Sequence, residues 1–181
     1  MRLLLVFLLL AMPCFADDTK VPLIFSGGHE TDGRDRGRPV ILIASALKVP
    51  PEVFRETFTH VHPAPPGQNG PTDAEARANK KALMDGLGKY GVTDERLNEV
   101  SNRYRYRRDR GEMWPTHDAA GYATVSNGVV TGFVITDGGF GYSSPPTVSV
   151  KDMTGVQTAA TLAFSTDFEK NGAVASVALS K

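Results

Sequence analysis

Tyr122-Ala-Thr-Val-Ser-Asn127-Gly128-Val-Val-Thr-Gly-Phe-Val-Ile-Thr-Asp137-Gly138-Gly139-Phe-Gly141-Tyr142-Ser-Ser-Pro-Pro146-Thr-Val-Ser-Val150 is the stretch whose reading decides the fold. Asn127-Gly128 separates two runs rich in β-branched residues. Both residues tolerate the positive φ of a type I′ turn, so the sequence predicts a hairpin with strands over 122–125 and 129–136. Further strands are expected at 147–150, 159–164 and 174–179. Asp137-Gly138-Gly139 and Asn171-Gly172 read as turns between them.

Upstream the period changes. Residues 39–47 (Pro-Val-Ile-Leu-Ile-Ala-Ser-Ala-Leu) are the most apolar run after the N-terminus. Pro39 suits a first helical position, and a helix apolar on nearly every side belongs at the centre of a core. Residues 40–43 taken alone also fit a buried strand. Pro50-Pro51 breaks this run, and a second helix is expected over 51–60 with Val53, Phe54 and Phe58 near one face. Residues 61–71 are rich in Pro and Gly and read as an extended connector. Thr72-x-x-Glu75 is a capping box, opening a third helix with Ala76, Leu83, Met84 and Leu87 inward and Gly88 just past its end. Thr93 caps a fourth helix carrying Leu97, Val100 and Tyr104.

The fold class expected is therefore α+β: a small helical unit of about four helices, then a compact antiparallel β module. The division expected is a signal peptide at 1–16, a loop-rich lead-in at 17–38, a helical domain at 39–112, a linker at 113–120 and the β module at 121–181. Within the lead-in, residues 22–25 read as one edge strand. The signal peptide rests on Arg2, the apolar run 3–12 and the small residue Ala16. That run is too short for a bilayer core of roughly 30 Å, and no later run is long and apolar enough to cross a membrane.

Cleavage after Ala16 would remove Cys14, the single cysteine. The mature chain would then hold no disulfide, thiol nucleophile or thiolate metal site. The full chain balances 20 basic against 20 acidic residues. Loss of Arg2 leaves a net charge of about −1, which gives no general attraction to nucleic acid or anionic membrane.

Ala123-x-Val125-x-Asn127-Gly128-Val129-Val130 continues to Gly138-Gly139-x-Gly141-Tyr142-x-x-x-Pro146-x-Val148. This pattern resembles the glycine–tyrosine β-repeat of phage tail-associated and bacterial secreted or surface proteins. A second, partial unit starts near Ala159 and stops before another Gly-Tyr. The resemblance implies an all-β module for assembly, attachment or display, with no catalytic role. The N-terminal half resembles exported bacterial proteins of no defined activity.

Three clusters carry candidate chemistry. His29, Asp32 and Asp35, with Glu30, would offer imidazole and carboxylate ligands to a divalent metal, or an acid–base pair. Their spacing is not that of an EF-hand, and Arg34, Arg36 and Arg38 stand ready to neutralise the acids. His60 and His62 lie two apart in an extended segment, and His117 would join them only by folding. Arg103, Tyr104, Arg105, Tyr106 and Arg107 interleave guanidinium with phenol, a pattern that grips acidic polymers. Trp114 and Tyr142 are candidate sugar-stacking rings, although the same rings pack cores. No Gly-x-Ser-x-Gly elbow, His-Glu-x-x-His helix or phosphate loop occurs.

The function expected is a non-catalytic binding, attachment or assembly role in the bacterial periplasm or outside the cell. Its partner would be an envelope or extracellular polysaccharide or protein, not nucleic acid, and no cofactor is expected. A small metal-dependent hydrolase built on the loop with His29, Asp32 and Asp35 is the alternative.

Overall fold

The computed structural model describes residues 18–62, 70–106 and 110–180. The expected signal peptide with its cut after Ala16, most of the proline-rich connector, and Arg107 lie outside the described residues.

Two antiparallel sheets and four α-helices make up the described residues. The order is β1 (Thr19–Ser26), α1 (Val40–Ala46), α2 (Pro51–Phe58), α3 (Asp73–Leu87), α4 (Asp94–Arg103), β2 (Ala120–Ser126), β3 (Val129–Asp137), β4 (Thr147–Val150), β5 (Thr158–Ala163) and β6 (Ala173–Leu179). This is the expected α+β layout, with helices concentrated N-terminally and the sheet after them.

Local chemistry explains the helix ends. Thr72 accepts from the Glu75 amide at 3.3 Å, while the Glu75 carboxylate accepts from the Thr72 amide at 2.7 Å. The Thr93 hydroxyl likewise accepts from the Arg96 amide. The third helix ends at Leu87 with Gly88 just past it as expected, but Gly88 does not take the left-handed conformation of a glycine stop. It stays helical, a 3-10 turn runs to Tyr90, and Gly91 takes the left-handed conformation instead (φ 84°). Ala76, expected inward, is exposed, whereas Leu83, Met84 and Leu87 join the hydrophobic core from the later turns of α3. Helix α1 fulfils its apolar reading: Val40, Leu42, Ala44 and Ala46 are buried, and Ile41 and Ile43 pack against the same cluster. Phe54, Leu97, Val100 and Tyr104 surround it. Pro39 serves as its N-cap residue rather than its first helical residue.

The hairpin forms as read. Asn127 and Gly128 have φ of 51° and 78°, and β2 pairs with β3 on either side. One expectation changes. Residues 22–25 belong to a strand at the centre of the four-stranded sheet, whose order is β3-β2-β1-β4. The proline explains why it reads as an edge. β1 pairs with β2 through Thr19 to Pro22 and with β4 through Leu23 to Ser26. Each half has one neighbour on the ladder, so Pro22 lies at the exchange of partners, where a missing N–H costs little.

The second sheet, β5-β6, closes the first into a roll: β4 lies beside β5, and β6 beside β3. The Val174 amide donates to the Gly138 carbonyl at 2.8 Å across that seam. Leu23, Ala123, Val125, Val130, Val148, Val150, Val174 and Val177 fill the interior, with Tyr142 among them. The alternation of buried and exposed residues along β1, β2 and β4 gives this roll an apolar inside and an outer face.

Candidate functional site

The loop with His29, Asp32 and Asp35 is fixed by its own charges. Asp32 caps a short 3-10 helix (Gly33–Asp35) by accepting from the Arg34 amide at 2.9 Å. The Arg34 guanidinium folds back onto the same carboxylate at 2.7 Å. Those hydrogen bonds hold the Asp32 carboxyl well below the usual carboxylate range. Asp35 is buried, its side chain 3% exposed, and is gripped bidentately by Arg55 of α2 at 2.7 and 2.9 Å. That contact raises the Arg55 guanidinium above its ordinary value.

His29 faces elsewhere. Its ring stacks on Tyr142 with centroids 5.1 Å apart, meets the edge of Trp114, and places Nδ1 3.2 Å from the Gly141 carbonyl. Among the described residues no group of three or more His, Cys, Asp or Glu is arranged to hold a metal ion. His29, Asp32 and Asp35 are therefore near in sequence but turned to different partners. The remaining histidines are also apart. His60 lines an open groove between α2 and α3. His62 exchanges backbone hydrogen bonds with the Asn79 amide. His117 pairs with Asp137 at 3.0 Å and stacks on Phe140.

The glycine–tyrosine segment is a hub. Tyr142 is 1% exposed, and its hydroxyl accepts from the Ala119 amide at 2.9 Å. Burial raises its phenol above the ordinary value. The Gly141 carbonyl accepts from Trp114 Nε1 at 2.8 Å. The amides of Ser143 and Ser144 donate to the Gly28 carbonyl, and Ser144 Oγ lies 2.5 Å from Glu30 Oε2. The amides of Gly141 and Tyr142 donate to the carbonyls of Asn171 and Gly172. Gly139 (φ 61°) and Gly172 (φ 70°) are needed here, because a Cβ on either would strike backbone atoms of the facing segment. Trp114 and Tyr142, candidates for sugar stacking, are both buried and bonded internally.

The arginine–tyrosine segment is likewise turned inward. Tyr104 is buried and its hydroxyl accepts from Asn171 Nδ2 at 2.8 Å. Tyr106 packs edge-on against Trp114 and donates to the Gly37 carbonyl. Arg103 pairs with Glu169 at 2.9 Å and lies over the rings of Phe140 and Phe168. Arg105 is exposed.

What remains open is the outer face of the four-stranded sheet. Tyr122 stands beside Pro22 on one side and Val134 on the other, in register across three strands. Ile24 follows on β1, opposite Ser149 of β4. Ile24 is 50% exposed and Val134 37%. Lys20 and Asp137 are the only charged side chains in these four strands, and Asp137 ends β3. The Lys20 ammonium lies 4.7 Å from the Tyr122 ring centroid. Charge depletion around half-exposed aromatic and aliphatic residues is the composition of a protein-interface centre.

Sequence reasoning missed Arg55, Arg96 and Asn171. Arg96 donates to the Ala46 carbonyl at 2.9 and 3.1 Å, ending α1, and lies over Phe168. Asn171-Gly172 forms the expected turn before β6, with Gly172 at φ 70°, but the Asn171 amide is wholly buried rather than at a solvent-facing tip. An arginine that caps a distant helix leaves no periodic signal. The pairing of Asp35 with α2 was equally invisible, although the charge density of the loop did mark the place. No protein-family model, curated protein or solved structure matches this chain.

Proposed function

We propose that this is an exported, non-catalytic binding protein that docks onto another protein of the bacterial envelope through the outer face of its four-stranded sheet. The observation that carries this reading is the patch of Pro22, Ile24, Tyr122 and Val134, half-exposed on a sheet nearly free of charge. The groups that would serve hydrolysis support it from the other side. Asp32, Asp35 and His29 each have an internal partner, and the four histidines are dispersed. The likeness of residues 123–150 to the glycine–tyrosine repeat of phage tail-associated and bacterial secreted or surface proteins agrees with attachment or assembly. The apolar N-terminal run supports export.

The test uses the chain expressed in a Gram-negative host. N-terminal sequencing of the exported form should begin at Asp17. The purified protein should sediment with isolated envelopes, and protease treatment of the envelopes should abolish this. Binding that survives protease but not glycan digestion would move the partner to polysaccharide. Absence of any sedimentation would overturn the reading.

A further inference from the structure

A second feature, independent of the sheet face, lies on the helical side. A hollow of about 500 Å³ opens between the 3-10 turn and α2, with Arg34, Arg36, Arg38 and Arg55 in its wall and Phe58 beside them. Two of these cations are accounted for. Arg55 holds Asp35 and Glu52, and Arg34 holds Asp32. Arg36 and Arg38 are different: no carboxylate among the described residues forms an ion pair with either.

Arg38 is half-buried, its guanidinium 4.3 Å from the centroid of the Phe58 ring. Burial lowers its guanidinium from the ordinary value; Tyr106 opposes this, and the charge of Arg36 adds to it. Asp35 acts on Arg38 in the opposite sense, but both its oxygens are already taken by Arg55. Arg36 sits at φ 51°, a left-handed conformation that disfavours an L side chain and not glycine. From this backbone position Arg36, itself exposed, lines the hollow beside Arg38. The turn that holds both is rigidly tied. The Arg38 amide donates to the Asp35 carbonyl at 3.0 Å, and Tyr106 donates to the Gly37 carbonyl.

We propose that this hollow is an oxyanion-binding site, in which Arg38 and Arg36 receive a phosphate, sulfate or carboxylate group and Phe58 packs against Arg38 from behind. A planar guanidinium backed by a ring presents its N–H fork outward, the geometry that suits a two-oxygen anion. Asp35, Glu52 and Glu56 also line the hollow; Asp35 and Glu52 are paired with Arg55, while Glu56 opposes binding. Its carboxylate limits the affinity.

The experiment follows the Arg Nε–H signals by NMR during titration of the exported chain with inorganic phosphate, with glucuronate and with neutral glucose. Saturable shifts confined to Arg36 and Arg38 are expected for at least one anion, and none for glucose. Phosphate alone would identify a phosphate-type ligand, and glucuronate alone a carboxylate-bearing one. Arg36→Gly suits the left-handed backbone, so it should fold with an unchanged or higher Tm. It should weaken binding about fivefold, the effect of one nearby charge in water. Glu56→Gln should tighten it by a similar factor. No saturable shift, equal shifts at all exposed arginines, or unchanged affinity in a folded Arg36→Gly protein would each overturn the proposal. None of these outcomes depends on whether the sheet face binds a partner.

Discussion

The wholly buried amide of Asn171 donates to the hydroxyl oxygen of Tyr104 at 2.8 Å, joining the turn before β6 to the end of α4. The same nitrogen donates to the Leu42 carbonyl of α1, and the amide oxygen accepts from Ser165. One side chain thus ties three segments that are far apart in sequence. An isosteric apolar replacement would leave these partners without hydrogen bonds, at about 1–3 kcal/mol for each buried group. Asn171→Leu should therefore lower the Tm by roughly 5 °C or more. Tyr104→Phe should cost less, because the amide keeps Leu42. The double variant should fall short of additivity. A thermal melt of each variant checks this, and an unchanged Asn171→Leu curve would refute it.

The Asp35–Arg55 pair makes a second prediction. Asp35 is buried and Arg55 is 19% exposed, so solvent moderates the penalty of an unpaired partner. Arg55→Met should destabilise by about 2–3 kcal/mol, since it strands a buried carboxylate. Asp35→Asn combined with Arg55→Met should recover part of that loss. Denaturant unfolding of the two single variants and the pair measures it.

The hairpin turn is a third test. Asn127 and Gly128 both hold positive φ, so replacing the pair with Ala-Ala imposes the left-handed penalty of roughly 1–2 kcal/mol per residue. The melting temperature should fall by several degrees.

Much of this fold was legible in the residues. Asn127-Gly128 between β-branched runs, the Thr72–Glu75 box, Thr93 and the α1 apolar run all act through neighbours a few positions away, and such chemistry can be read directly. The central place of β1 was hidden because Pro22 carries an edge-strand signal that tertiary pairing excuses. Tyr104 was legible through its helical spacing with Leu97 and Val100, and Trp114 and Tyr142 read as core or stacking rings alike, whereas the inward turn of Tyr106 was hidden. An aromatic ring reads the same in a core and on a binding face until its neighbours are known. The outer sheet face escaped notice because it is marked by missing charges rather than by a motif.

Acid should loosen the molecule in a defined direction. The Ser144 hydroxyl, with backbone N–H groups, holds the Glu30 carboxyl below its ordinary value. The Gly139 amide, with His117, does the same for Asp137. The Glu75 carboxyl is held down by the Thr72 amide and hydroxyl. A carboxyl whose folded-state pKa lies below its unfolded value contributes stability above the unfolded value, about pH 4, and loses it as pH falls through the folded value. Stability should be level from pH 7 to about 5.5 and decline below about 4.5. Glu30→Gln and Asp137→Asn should each flatten that decline, as read from unfolding midpoints across pH.

The central claim is that the charge-poor outer sheet face is the docking surface, and one comparison tests it most directly. Sedimentation with isolated envelopes is measured for the unaltered chain, for Val134→Asp and for Val134→Thr, each first shown to melt at the same temperature. The account predicts that a carboxylate at this half-exposed position weakens the affinity at least tenfold, while threonine leaves it nearly intact, because a buried unpaired charge at an interface costs more than about 1.4 kcal/mol. Equal binding by Val134→Asp and the unaltered chain would contradict it.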